Sequence, residues 1–211
     1  MLYTSGGVLI AMDVEKKEQK RFFFGHSAPI CCFDVANHGG LVASAQEVTK
    51  TEAVKLAKQR RIGEEEESTG KPHIVRIWDY HTARCISHIT MPPVTQIKCL
   101  AFSADGRYLA CCGKDGHNRE MIVIWDISQI HRGGKPEIAA KQTTEFNILD
   151  IKFSPIDNCR LVSCGKENIR FWRVKETGNI RGAAVVLNHH ARDTVFTALD
   201  FEWGAVAAAN N

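Results

Sequence analysis

A tryptophan that ends a short apolar run recurs at a constant interval along this chain. Residues 77–79, 124–126 and 171–173 read Ile-Trp-Asp, Ile-Trp-Asp and Phe-Trp-Arg, and they stand 47 residues apart in both intervals. Two equal intervals indicate a repeated structural unit, which has to be recognised before any other feature is interpreted. The chain of 211 residues is therefore expected to fold as an array of similar units.

One unit can be read strand by strand from its sequence. Residues 97–102 alternate between the two faces of a strand, Asp105-Gly106 supplies a turn, and residues 108–112 resume an apolar run. Residues 121–125 follow with β-branched side chains, which suit a pleated and buried surface. Three antiparallel strands with this punctuation make most of one blade of a WD-type β-propeller, whose repeats span roughly 40–45 residues.

The sequence predicts an all-β fold, a WD-type β-propeller with about four blades' worth of chain. Repeats are predicted at about 27–91, 95–145 and 147–190, with a blade tail at 1–24 and the start of a next blade at 194–211. The outer strand of the blade tail is predicted at residues 22–24. Because a propeller needs about four to eight blades to close its ring, we expect a fragment of a longer propeller chain.

Several residues are expected to be landmarks of the repeat and not parts of a reactive site. A buried imidazole at Gly25-His26 would hydrogen-bond to the hydroxyl of Ser44 and so reach Trp78. In the second repeat, Cys111 stands where that hydroxyl is expected. The predicted structural landmarks are Gly25, His26, Ser44, Trp78, Asp79, Asp105, Asp115, Trp125, Asp126, Ser163 and Trp172.

No enzyme, metal or cofactor is predicted. None of the eight cysteines belongs to a Cys-x-x-Cys motif, and the adjacent pairs at 31–32 and 111–112 would point to opposite faces of a strand, which favours reduced core cysteines. The nucleotide-binding, hydrolase and metalloprotease motifs are absent. A net charge of +3 with both signs interspersed disfavours nucleic acid, and no run of 18 apolar residues predicts a membrane span.

Residues 22–26, 99–110, 123–126 and 161–172 together resemble the echinoderm microtubule-associated protein-like family and related WD-repeat proteins of cilia and centrioles. The resemblance implies a non-enzymatic member of a larger assembly that binds tubulin, microtubules or other axonemal proteins. It also implies a cytoplasmic, cytoskeletal address at a ciliary or flagellar axoneme or a centriole. The alternative is a generic intracellular WD-repeat adaptor, either a substrate receptor of a ubiquitin ligase or a trafficking scaffold.

An insertion at residues 46–72 distinguishes the first full repeat from the others. Residues 49–62 favour a helix, and their basic half is followed by acidic residues and then by a polar stretch. One interpretation is a solvated surface loop, since loop insertions cost little chain entropy. The other is a docking helix whose cations meet an acidic partner such as tubulin. The candidate partner-binding residues are Lys50, Lys55, Lys58, Arg60 and Arg61.

Overall fold

A computed structural model describes residues 1–37, 40–46, 75–89, 94–115, 117–175, 177–189 and 193–201. The regular structure of these parts is β-strand, apart from one 3₁₀ turn at Ile130–Arg132. No helix in the described ranges has the length and apolar character needed to cross a membrane. The strands are β1 (Leu2–Ser5), β2 (Val8–Asp13), β3 (Glu18–Phe23), β4 (Ile30–Val35), β5 (Leu41–Gln46), β6 (Val75–Asp79), β7 (Cys85–Ile89), β8 (Val94–Phe102), β9 (Tyr108–Asp115), β10 (Glu120–Asp126), β11 (Glu137–Thr144), β12 (Asp150–Phe153), β13 (Arg160–Gly165), β14 (Asn168–Val174) and β15 (Ile180–Ala184).

Each sheet is made of strands that are consecutive in the chain. The leading sheet is β1-β2-β3, and three four-stranded sheets follow: the second sheet (β4 to β7), the third sheet (β8 to β11) and the fourth sheet (β12 to β15). All of their pairings are antiparallel. This repeated antiparallel unit confirms the predicted all-β, WD-type propeller architecture.

The sheets are held together by apolar layers between neighbours. Along β10, Val123 and Trp125 face the second sheet, whereas Ile122 and Ile124 face the fourth sheet. A strand that is buried on both faces must be apolar at nearly every position, which explains the continuous run at residues 121–125. Equivalent layers place Trp78 between the leading and second sheets and Trp172 between the third and fourth.

The first strands of neighbouring four-stranded sheets lie side by side. Strand β4 contacts β8, and β8 contacts β12. The half-buried Asp34 of β4 accepts a hydrogen bond from the backbone N–H of Phe102 at 2.7 Å, and its other oxygen lies 3.4 Å from the ammonium of Lys152 on β12. This carboxylate therefore ties together the innermost strands of three successive sheets.

The outer strand of the leading sheet differs from its prediction at residues 22–24. Strand β3 runs over Glu18–Phe23, so it begins four residues earlier and stops before Phe24. Its first half is polar because the strand lies at the outer edge, where the side chains of residues 18–20 are exposed. Gly25 has a φ of 148°, in the region that favours glycine, and the chain turns there toward the second sheet.

The connection from β10 to β11 contains a short structured turn. Residues 130–132 form the 3₁₀ turn, which buries the side chain of Ile130 and ends at Gly133 with a φ of 79°. A positive φ of this size is most readily adopted by glycine. The connection between β10 and β11 thus reaches back to the core through one isoleucine.

Residues 193–201 continue beyond the fourth sheet without forming a regular strand. Val195 makes an isolated antiparallel bridge with Lys166, and the backbone N–H of Leu199 donates to Asp150 at 2.8 Å. This segment therefore lies against β12 and the β13–β14 turn. Most of the segment predicted at residues 194–211 lies outside the described residues.

Candidate partner-binding surface

The loops of the sheets gather on two rims. In an antiparallel sheet of consecutive strands, successive connections alternate between the two ends. The connections β3–β4, β5–β6, β9–β10, β11–β12 and β13–β14 therefore share one end, which we call the insertion rim because residues 47–74 lie in its β5–β6 connection. The connections β2–β3, β6–β7, β8–β9, β10–β11 and β14–β15 form the opposite rim. Because propeller strands are committed to packing, these loops are the parts free to bind a partner.

A hydrogen-bond network fixes the point where the β5–β6 connection leaves the second sheet. The ring nitrogen Nε2 of His26 lies 2.7 Å from Ser44 Oγ, and the indole of Trp78 donates to the same oxygen at 2.8 Å. The other ring nitrogen of His26 lies 3.0 Å from Oε1 of Gln46, the last residue of β5. The Gln46 side chain also accepts from the backbone N–H of Ser27 and donates to its hydroxyl, each at 3.1 Å.

The partners assign the protons of this network. Trp78 can only donate, so the Ser44 hydroxyl accepts from it and donates its own proton to His26 Nε2. Nδ1 of His26 then carries the proton and donates to Gln46. Burial lowers the pKa of His26 to about 4, the hydrogen bond with Gln46 opposes this, and the nearby Arg76 lowers it further. The imidazole is therefore neutral at pH 7 and serves as a connector between strands.

Arg76 packs so closely against residue 25, next to this network, that only a glycine fits there. A Cβ atom at Gly25 would lie 3.1 Å from Cζ of Arg76, and the backbone φ of 148° is one that other residues rarely adopt. The guanidinium of Arg76 in turn lies 5.9 Å from the centre of the Trp78 ring. The glycine therefore allows an arginine to pack beside the repeat tryptophan.

The other two repeat tryptophans differ from each other in their hydrogen bonds. Trp172 donates to Ser163 Oγ at 2.7 Å, as Trp78 does to Ser44. Nε1 of Trp125 is buried and has no hydrogen-bond partner among the described residues. Cys111 stands on the paired strand in place of the serine, and burial raises the pKa of its thiol. The second repeat therefore has a thiol beside the indole, which is a much weaker acceptor than the serine hydroxyl of the other two repeats.

The landmark aspartates all shape turns. Asp79 accepts from both the backbone and the hydroxyl of Thr82, and the backbone bond is the main reason that the pKa of Asp79 is lowered. Asp105 accepts from Ser103 Oγ at 2.6 Å, Asp115 binds the guanidinium of Arg119 at 2.8 Å, and Asp126 binds that of Arg107 at 3.0 Å. Asp79, Asp105 and Asp115 are each occupied by groups of their own turn, whereas Asp126 binds an arginine of the neighbouring β8–β9 turn.

The predicted partner-binding residues Lys50, Lys55, Lys58, Arg60 and Arg61 lie outside the described residues, as does the predicted helix at 49–62. The structure does describe both ends of their segment. Ala45 on β5 and Val75 on β6 are register partners, so the chain leaves and re-enters the second sheet on adjacent strands. The role of Gln46 was not predicted from the sequence, because no sequence pattern indicates that a glutamine at the end of a strand bonds to a histidine.

Within the described ranges, no three His, Cys, Asp or Glu residues are arranged to hold a metal ion. The eight cysteines all lie in the described ranges, and none of them forms a disulfide bond. Burial raises the pKa of the Cys112 thiol, and it raises that of Cys164 to about 11. These thiols are protonated at neutral pH, and a protonated thiol is a poor nucleophile.

Comparisons with known proteins agree on the class of this repeat. WD repeat-containing protein 90 of Xenopus tropicalis is 31% identical over 205 residues, which cover 97% of this chain and 10% of that protein. Centriole proteome protein 16 of Chlamydomonas reinhardtii is 32% identical over 171 residues, 80% of this chain and 7% of that protein. Echinoderm microtubule-associated protein-like 4 of Xenopus tropicalis is 26% identical over 174 residues, 82% of this chain and 16% of that protein.

The chain thus spans about a tenth of the length of the WD repeat-containing relatives that it matches. The family model described as "Echinoderm microtubule-associated protein first beta-propeller" matches residues 19–210, which include all three four-stranded sheets. This chain therefore belongs to the echinoderm microtubule-associated protein family of WD-repeat β-propellers.

Proposed function

We propose that this chain is part of a non-enzymatic, protein-binding scaffold of the microtubule cytoskeleton, located at a centriole or in the axoneme of a cilium or flagellum. The family match over residues 19–210 is the observation that carries the proposal. Relatives named as a centriole proteome protein and as microtubule-associated proteins support the address. Propellers of this kind act mainly as rigid platforms that present loops, and a fold alone implies no catalysis.

The insertion rim is the side proposed to meet the partner. The network of His26, Ser44, Trp78 and Gln46 holds the end of β5, from which the basic segment with Lys50, Lys55, Lys58, Arg60 and Arg61 departs. A segment that leaves and re-enters the blade on a rigid base can contact a partner surface without unfolding the blade. Its cations would be steered by an acidic surface such as that of tubulin, and salt would weaken this attraction.

Co-sedimentation of the full-length protein with microtubules tests the proposal. The test variant replaces Lys55, Lys58, Arg60 and Arg61 with Ala. The control variant removes four exposed cations from the opposite rim by replacing Lys16, Arg132, Lys135 and Lys175 with Ala. We expect the test variant to bind less than the wild type at low salt. The difference should shrink as salt is added, because the Debye length falls to about 8 Å at physiological ionic strength.

The outcomes separate the alternatives. Wild-type protein that fails to sediment with microtubules would favour the adaptor role, in which the rim recruits another protein. If both fourfold variants bind microtubules equally weakly, the loss would come from the change in net charge, and the insertion would have no specific role in binding. If the test variant still binds microtubules and the control variant does not, the opposite rim would be the binding surface.

A further inference from the structure

Three arginines lie side by side across the fourth sheet, at the end of the sheet that belongs to the opposite rim. Arg173 of β14 is the register partner of Arg160 on β13 and of Arg181 on β15. Residues directly opposite each other in antiparallel strands share one face of the sheet, with Cβ atoms about 4.5–5.5 Å apart. We call these three residues the arginine row. Like charges at this spacing are destabilising, so the row costs stability unless an anion binds there.

The arginine row stands where the other four-stranded sheets carry an aspartate. Arg173 directly follows the repeat tryptophan of β14, at the position that Asp79 holds in β6 and Asp126 holds in β10. In the third sheet, Asp126 binds the guanidinium of Arg107, so opposite charges are paired at this end of the sheet. The matching end of the fourth sheet therefore has the opposite sign of charge.

Two of the three guanidinium groups are available to a ligand. Arg173 and Arg181 are exposed, and neither side chain has an ion pair or a hydrogen bond within the described ranges. Arg160 is held by Asp157, whose carboxylate lies 2.9 Å from Nε of Arg160. The arginine row thus keeps an excess of two positive charges over the carboxylate that contacts it.

The arginine row stays accessible even where another sheet packs on the same face. Trp172 faces the third sheet, so the neighbouring Arg173 points to the other side of the fourth sheet. The third sheet shows what happens to such positions when the next sheet is in place. There Asp126 is partly exposed and its register partner Glu137 is exposed, although the fourth sheet packs against that face. The ends of the strands therefore remain open to solvent at this rim.

The charge of the arginine row matches a phosphate group. A phosphorylated side chain carries a charge of about −1.5 to −2 at pH 7 and presents three acceptor oxygens, whereas one carboxylate would neutralise only one of the two cations. Guanidinium groups bind phosphate through pairs of parallel N–H donors. Phe171 is 58% exposed and lies two residues before Arg173 on the same face, next to Ala183. An apolar contact beside a single dianion favours a peptide over a nucleic acid, which is a continuous polyanion.

We propose that the arginine row binds a phosphorylated serine or threonine of a partner protein. The phosphate lies between the guanidinium groups of Arg173 and Arg181, and an apolar residue of the same segment packs on Phe171. This site goes beyond the proposed microtubule contact, because it lies on the rim opposite the insertion and binds a second partner. Its test uses a peptide and no microtubules, so the two proposals can fail separately.

Fluorescence anisotropy with the full-length protein tests this site. The probe is a fluorescein-labelled, glycine-rich peptide with one phosphoserine and, two residues away, one leucine; matched peptides carry Ser or Glu in place of the phosphoserine. We expect the phosphopeptide to bind most tightly and the double variant Arg173→Gln, Arg181→Gln to raise its Kd about tenfold, since each exposed ion pair is worth up to about fivefold. The control variant Arg84→Gln, Arg132→Gln removes two exposed arginines elsewhere on the same rim and should leave the Kd unchanged.

A variant that strengthens binding keeps the test decisive if the double variant is poorly folded. Asp157→Asn releases Arg160 from its ion pair, and the Asn side chain keeps an oxygen that can accept from the backbone N–H of Cys159. The released cation joins the arginine row, so this variant should lower the Kd of the phosphopeptide. The proposal would be overturned by a full-length protein that does not bind the phosphopeptide, as when another sheet covers the row. Equal binding of the Glu peptide, tighter binding of an oligothymidylate, or equal effects of the row and control variants would also overturn it.

Discussion

Mild acid should weaken the first full repeat through His26. Burial lowers the pKa of this imidazole to about 4 in the folded protein, whereas an unfolded chain has a value near 6.5. Between these two values the unfolded state binds a proton that the folded state does not. The free energy of unfolding therefore falls as the pH falls from about 6.5 toward 4, and this contribution is fully present only above 6.5.

The size of the effect follows from the shift. Between pH 7 and pH 5, a lowering of the His26 pKa from 6.5 to about 4 corresponds to a loss of about 2 kcal/mol in the free energy of unfolding. His26 is only partly buried, so solvent screening reduces the expected loss to about 1 kcal/mol. The network joins β5, β6 and the β3–β4 connection. The loss of free energy should therefore be seen in the unfolding of the second sheet as a whole.

Denaturation at a series of pH values measures this loss as a difference between variants. The wild type and His26→Gln are compared in the shortest piece of the full-length protein that melts cooperatively. The stability advantage of the wild type should narrow by about 1 kcal/mol between pH 7 and pH 5. Trp172→Phe breaks the matching indole–hydroxyl bond in the fourth sheet and leaves the His26 network intact, so its gap to the wild type should stay constant. A His26→Gln gap that is independent of pH would refute the buried, neutral imidazole.

Two further predictions concern the repeat tryptophans. Trp78→Phe should cost about 1–2 kcal/mol more than Trp125→Phe in denaturant unfolding, since the Trp78 indole donates to the Ser44 hydroxyl whereas the Trp125 indole has only a thiol beside it; equal losses would contradict this difference. Gly182→Ala should cost about 1–3 kcal/mol, because the new Cβ would lie 2.5 Å from a carbon of the Trp172 ring; an unchanged melting temperature would show that the ring can move aside.

The 47-residue period was sufficient to predict the class of the fold. A tryptophan at the same place in each repeat implies a fixed strand register, and Trp78, Trp125 and Trp172 all lie in the third strand of a four-stranded sheet. The sequence also grouped His26 with Ser44 and Trp78, which the hydrogen bonds join. These predictions succeed because burial and repeat spacing leave a periodic mark on the chain.

Edge strands and contacts between sheets leave no such mark. Strand β3 begins with exposed polar residues, because an outer strand needs few buried side chains, and only its apolar end was predicted. The ion pair between Asp34 and Lys152 joins two different sheets and residues that are 118 positions apart in the sequence. Such contacts arise from the stacking angle of neighbouring sheets, which no local pattern encodes. The role of residues 49–62 stays a prediction.

Cryo-electron microscopy of the full-length protein bound to microtubules tests the central claim most directly. We predict that the propeller contacts the microtubule through the insertion rim, with density for residues 47–74 at the contact and the repeat tryptophans stacked between successive blades. A propeller that faces the lattice with its opposite rim, through the β6–β7 and β10–β11 connections, would contradict the account.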